Sequence, residues 1–155
     1  MAELEGSLDG AGLRVCVVVA RWNSFVTAKL LEGALSGLRE RGVRGEDVTT
    51  AWVPGAFEVP TAAKWAAASG RFDAVICLGA VIRGETAHFE YVAGGAAEGI
   101  GQVSLSTGVP VIFGVLTVDS VEQAMDRAGG KDGHKGDEAA QAAIEMANLR
   151  RLLQS

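Results

Sequence analysis

The segment Gly79-Ala80-Val81-Ile82-Arg83-Gly84-Glu85-Thr86-Ala87-His88-Phe89 is the densest run of chemistry-bearing residues in the chain. Gly84 ahead of a helix start leaves backbone N–H groups unpaired, and the positive end of the helix dipole favours an anion such as phosphate there. Thr86 adds a hydroxyl donor, and His88, one of two histidines, follows in the first helical turn. Two readings of His88 stay open: a partly solvated packing residue, or a general acid–base beside the anion. The order Glu85-Thr86-Ala87-His88 also occurs at carboxylate metal sites. Those sites need a second copy and further glutamates on facing helices, so no metal is expected.

Other loops supply the remaining candidates. Trp22, in Ala20-Arg21-Trp22-Asn23-Ser24, is either a stacking face for a planar ligand or a surface aromatic covering a helix edge. Pro54-Gly55-Ala56-Phe57-Glu58-Val59-Pro60 has a backbone fixed by two prolines and a glycine. It presents amide groups together with Glu58, which by itself reads as a helix-dipole partner. Phe113, taken alone, reads as half-core. Arg127 either makes a surface ion pair worth ~0–1 kcal/mol or forks onto a phosphate. Lys135 and Glu138, at the start of the last helix, read as solvated.

These loops follow a regular alternation of elements. A β-branched run over Leu13–Ala20 reads as a buried strand. A helix capped by Asn23 or Ser24 follows to about Arg41, with Val26, Leu30, Leu31, Ala34, Leu35 and Leu38 on one stripe, and Gly42 closes it. A second strand covers Val48–Val53, a short Ala-rich helix runs to about Ser69, and a third strand covers Ala74–Leu78, ended by Gly79. The next helix runs from about Thr86 to Ser106, with Phe89, Val92, Ala93, Ala96 and Ile100 inward. A fourth strand covers Val109–Leu116. Ser120 and Gln123 fit a capping box, opening a helix that ends at Gly129-Gly130. A last helix follows Gly133 and runs to Leu153, with Ala139, Ala143, Ile144, Ala147 and Leu152 inward. The order predicts a three-layer α/β/α sandwich with a four-stranded parallel sheet and right-handed crossovers. Ligands in such sheets bind at the carboxyl ends of the strands, where all the loops above lie.

Composition bounds the rest. The 155 residues predict one domain over 13–155 behind a flexible, glycine-bearing arm at 1–12. With 48% hydrophobic and 21% charged residues, wholesale disorder is excluded. A net charge of -5 argues against a nucleic-acid or membrane-surface protein, so an anionic ligand needs a local positive site. Cys16 and Cys77 sit in apolar runs and read as buried thiols of a cytoplasmic protein. The acidic start lacks a secretory pattern. Glycine, at 21 residues, is about twice as frequent as the ~7% average, which indicates tight turns or close backbone approaches. No nucleotide phosphate loop, dinucleotide fingerprint or nucleophile elbow is present.

The segments at Arg21-Trp22-Asn23, 54–60, 79–89 and Gly133-His134-Lys135-Gly136 with Glu138-Ala139-Ala140 resemble the 6,7-dimethyl-8-ribityllumazine synthase family over about residues 13–153. The resemblance implies a flavodoxin-like winding and the penultimate step of riboflavin synthesis. In that step 5-amino-6-(D-ribitylamino)uracil condenses with 3,4-dihydroxy-2-butanone 4-phosphate, releasing phosphate and water without a cofactor. By position it makes Trp22 the stacking aromatic, with Phe113 closing the pocket from a neighbouring chain. Ala56 and Phe57 offer backbone contacts, Glu58 takes ribityl hydroxyls, and Ala80, Val81 and Ile82 line the ring edge. Glu85 and Thr86 mark the phosphate turn, with Gly84 in support, and Arg127 completes it across the subunit boundary. His88 moves protons, Asn23 supports the site, and Lys135 and Glu138 form a charged pair near Arg127. His134 departs from the family's usual Asn, and either alters a hydrogen bond near the phosphate or faces water. The resemblance further implies pentamers. The short linker Gly129–Gly133 is typical of members that stack twelve pentamers into an icosahedral shell, and riboflavin synthase is the protein partner the resemblance suggests. Two rival readings are a non-catalytic flavin- or lumazine-binding shell and a flavodoxin-like carrier, although the latter's Ser/Thr-rich first loop is missing.

Overall fold

Strand β1 (Val15–Ala20) is buried at every position, as a central parallel strand covered on both faces must be. A computed structural model describes residues 1–155. Helix α1 (Ser24–Glu40) leads to a 3-10 turn at Gly45–Asp47 and strand β2 (Val48–Val53). A second 3-10 turn, Ala56–Glu58, runs into α2 (Val59–Ala68), and β3 (Ala74–Ile82), α3 (His88–Thr107) and β4 (Val111–Val118) follow. The chain closes with α4 (Val121–Asp126), a hairpin of β5 (Ala128–Gly130) and β6 (Gly133–His134), and α5 (Lys135–Gln154). The four long strands are parallel in the order β2-β1-β3-β4. This is the predicted three-layer α/β/α sandwich.

Side-chain alternation along the strands divides the interior in two. Val15, Val17, Val19, Ile76 and Leu78 face α1 and α5, where Leu30, Leu38, Ala143 and Ile144 are fully buried. Cys16, Val18, Val75 and Cys77 face α2 and α3, against Val59, Ala63, Ala96 and Ile100. Each fully buried aliphatic of this kind contributes roughly 1.5–3 kcal/mol. Leu152, expected inward, is exposed because α5 has passed the edge of the core by that point.

The departures from expectation lie at the ends of elements. Strand β3 does not stop at Gly79. Its ladder with β4 runs from Val75↔Val111 to Ile82↔Val118, and a continuous partner outweighs the weak strand propensity of one glycine. Helix α3 begins at His88, two residues later than expected, after a turn in which Thr86 Oγ1 accepts the His88 N–H at 3.4 Å. Helix α4 ends at Asp126 because the next residues form the β5–β6 hairpin, a stretch with no apolar alternation to reveal it. The capping box is shifted by one residue: Ser120 Oγ accepts from Gln123 N, while Gln123 Oε1 accepts from Asp119 N. In the arm, Gly6 and Gly10 are buried, and Asn148 of α5 donates to the carbonyls of Ser7 and Asp9, both at 2.9 Å.

Candidate active site

Strands β1 and β3 pair only as far as Val19↔Leu78, so Ala80–Ile82 project beyond β1 with one backbone edge free. Alternate residues of a parallel strand bond to opposite neighbours. Val81 therefore faces β4, while Ala80 and Ile82 turn their peptide groups towards the open side. Asn23 uses this edge. Its Nδ2 donates to Ala80 O at 2.9 Å, while its backbone adopts a left-handed φ of 65°. Asn23 is therefore a brace from the loop after β1 to strand β3 and makes no side-chain cap for α1. An asparagine tolerates this conformation because its short amide can bond locally.

Trp22 is set by its neighbours on the other side. Arg21 N donates to Val53 O at 2.7 Å and Trp22 N to Pro54 O at 2.9 Å, which carries the β1–β2 pairing into the loops. The indole then lies on Gly55, where a Cβ would come within 2.7 Å of Trp22 Cζ3. Trp22 remains 63% exposed, so this contact orients the ring without hiding its other face. Glu58 Oε1 accepts the Gly55 N–H at 3.0 Å, and Glu58 N donates to Gly55 O at 3.2 Å. This reciprocal pair pins the half-buried Glu58 carboxylate beside the indole. Phe57 is held over α3 by the same logic, because Gly95 leaves the space its ring occupies.

Two adjoining hollows result. One, of about 220 Å³, is lined by Trp22, Asn23, Ala56, Ala80, Val81, Ile82, Gly84, Thr86, His88, Phe89 and Val92. The other, of about 320 Å³, is lined by Trp22, Ala56, Phe57, Glu58, His88, Tyr91 and Val92. Trp22, Ala56, His88 and Val92 belong to both, so the pair forms one cleft at the carboxyl ends of β1, β2 and β3. The backbone N–H groups of Gly84, Glu85, Thr86 and Ala87 make no protein hydrogen bond at its lip. Stacking face, carboxylate, imidazole and free amides thus converge. A larger groove of about 720 Å³ lies between α2 and α3, but its lining of Pro60, Thr61, Lys64, Trp65 and neighbours brings no imidazole or carboxylate.

Phe113, Arg127, Lys135 and Glu138 do not line this cleft. Phe113 projects half-exposed from edge strand β4. Arg127 Nη1 donates to Gln123 O at 2.9 Å and lies 3.8 Å from Asp132. Lys135 N donates to Arg127 O at 2.8 Å, and Lys135 Nζ lies 3.5 Å from Glu138. The last three therefore make one cluster, built on the hairpin and held away from Trp22. His134 does not simply face water. Its Nδ1 accepts from Gly136 N at 3.1 Å as the cap of α5, and its ring occupies the space that Gly33 of α1 leaves free.

No three His, Cys, Asp or Glu side chains stand close enough together to hold a metal ion. Burial pushes both thiols up, Cys77 furthest, so neither is a reactive thiolate. Phe89, Tyr91 and Val92 join the cleft although the sequence marked Phe89 and Val92 only as core and gave no sign of Tyr91. Phe89 and Val92 are half-buried and pack against the α2–α3 core as well as the cleft, whereas Tyr91 is exposed.

A doubly wound α/β sandwich with one cleft at the strand ends is built to hold a small molecule of mixed planar and polar character. The model of the 6,7-dimethyl-8-ribityllumazine synthase family matches residues 12–151, and the chain belongs to that family. It is a family of transferases in riboflavin biosynthesis, acting on small molecules and typically oligomeric. No helix of the chain is long and apolar enough to cross a membrane.

Proposed function

We propose that the chain condenses 5-amino-6-(D-ribitylamino)uracil with 3,4-dihydroxy-2-butanone 4-phosphate in the cleft at Trp22, releasing phosphate and water. The convergence of Trp22, Glu58, His88 and the free amides of 84–87 carries this reading. A planar diaminouracil stacks on the open face of Trp22, with its edge against the open side of β3 at Ala80 and Ile82 and the amides of Ala56 and Phe57. Glu58, held by Gly55, accepts ribityl hydroxyls. The phosphate dianion sits on the amides of Gly84–Ala87 with the Thr86 hydroxyl beside it.

The substrate amine is itself the nucleophile, so the protein needs none. Imine formation, phosphate loss and ring closure each move a proton, and His88 is the one titratable imidazole in the cleft. Holding two substrates in contact supplies much of the remaining acceleration. A lone chain leaves the phosphate without a cationic clamp. Phe113 and Arg127 of an adjacent copy complete the cleft, with Lys135 and Glu138 placing that arginine, and no cofactor takes part. The exposed apolar side chains of Trp65 and Leu105 support burial of this surface against neighbouring copies in a pentamer. The compact hairpin at 128–134 suits stacking of twelve pentamers into a closed shell in the cytoplasm, where riboflavin synthase is the enzyme that draws on the product.

Mixing the two substrates with the protein tests the reading: lumazine absorbance and fluorescence should rise together with released phosphate. His88→Ala should lower kcat about tenfold to a hundredfold without abolishing turnover, near the low end of acid–base contributions. Wild-type turnover in that variant contradicts the role of His88, and absence of product from the unaltered protein contradicts the reaction.

A further inference from the structure

Arg83 is the one cation of the loop after β3, and the reaction as described gives it no task. Its Nε donates to Asp119 Oδ1 at 2.9 Å, its Nη1 to Glu90 Oε1 at 2.6 Å, and its guanidinium lies 4.4 Å from the centre of the Phe89 ring. Its backbone N–H donates to Val118 O at 2.9 Å. One side chain therefore ties the end of β4 to the first turn of α3, spanning the turn Gly84–Ala87. Little else holds that turn. Its amides are unpaired, and nothing packs within 4 Å of where a Gly84 Cβ would stand.

Ion pairs as exposed as these contribute ~0–1 kcal/mol to folding, so stability does not account for a side chain anchored this often. Their effect on an incoming anion is larger. Glu90 and Asp119 flank the turn, and Arg83 pairs with both, offsetting one of their two negative charges while fixing where the amides point. The guanidinium holds the Glu90 carboxyl below the usual carboxylate range, so the pairing persists through neutral pH.

We propose that Arg83 is a positioning residue for the phosphate-bearing substrate. It holds the Gly84–Ala87 turn and the start of α3, and with them the free amides and His88, without touching the anion itself. The inference rests on the reading of that turn as the phosphate cradle.

The test compares wild type, Arg83→Gln and Arg83→Lys by KM for each substrate, melting temperature, and binding of inorganic phosphate followed by ³¹P NMR. Arg83→Gln should raise KM for the phosphate-bearing substrate about tenfold, the size of one lost anion contact. It should weaken inorganic phosphate by a similar factor, while KM for the uracil and the melting temperature barely move. Arg83→Lys keeps the charge but cannot fork to two carboxylates or stack as a plane, so it should recover only part of the loss. Equal rises in both KM values, no change in either, or full recovery by lysine would overturn the proposal. If the unaltered protein makes no product, the phosphate titration still decides. Weaker phosphate binding in Arg83→Gln then upholds Arg83 against a failed reaction assignment, and unchanged or absent binding removes both.

Discussion

Gly55 shows how much of the cleft depends on an atom that is missing. Trp22 packs where a Cβ would be, and Glu58 lies 3.2 Å from the same point. Gly55→Ala should therefore displace the indole and the carboxylate together. We expect a rise of about tenfold in KM for the uracil substrate, from loss of about 1–2 kcal/mol of stacking and hydrogen bonding. KM for the phosphate-bearing substrate should stay within about twofold; equal changes in both would show that Trp22 does not carry the uracil. The sequence marked Trp22, Glu58 and His88 as candidates by residue type and loop position. It did not show that a glycine seats the indole, or that Asn23 bonds across to Ala80 instead of capping a helix, because both depend on contacts between segments far apart in the chain. The packing of His134 was not legible for the same reason. Its partner Gly136 is two residues away, but the space for its ring comes from Gly33, about a hundred positions away.

Helix α5 carries two contacts that can be tested separately. His134 Nδ1 caps its first turn, so His134→Ala should cost about 1 kcal/mol, read as a lowered urea midpoint, while His134→Asn should restore most of it. Equal losses in both variants would mean that ring packing, not the cap, is what matters. Further along, Arg41 Nη1 lies 2.9 Å from Asp137 Oδ1 and joins α1 to α5. The guanidinium holds the Asp137 carboxyl below its ordinary value, with a smaller contribution from Gln141. A carboxyl whose folded pKa is lowered stabilises the fold above its unfolded value, near ~3.9, and that stability is lost as pH falls through the folded value. The urea midpoints of wild type and Arg41→Gln should differ at pH 7 and converge below about pH 4. A constant gap across that range would contradict the assignment. Strand and helix existence was readable from period and punctuation, since β1, β2 and the α1 stripe fall where the pattern puts them. Ends were harder to place. Pairing with β4 extended β3 past Gly79, and the β5–β6 hairpin has no hydrophobic alternation by which to be seen.

On the proposed reading, one copy of the chain carries only part of the site. The cleft holds a stacking face, a carboxylate, an imidazole and free amides, whereas Phe113 stands on the β4 edge and Arg127 just ahead of the hairpin, both outside it. That division was expected only from the family resemblance, because nothing in period or composition says which side chains serve a neighbour. The central claim is that Arg127 of one copy completes the cleft that holds His88 of another. Co-refolding His88→Ala with Arg127→Ala tests it. Each variant alone is impaired in every cleft, whereas mixed assemblies contain some clefts with both residues intact. Lumazine formation by the mixture should exceed the average of the two separately refolded variants, and activity equal to that average would contradict a shared site.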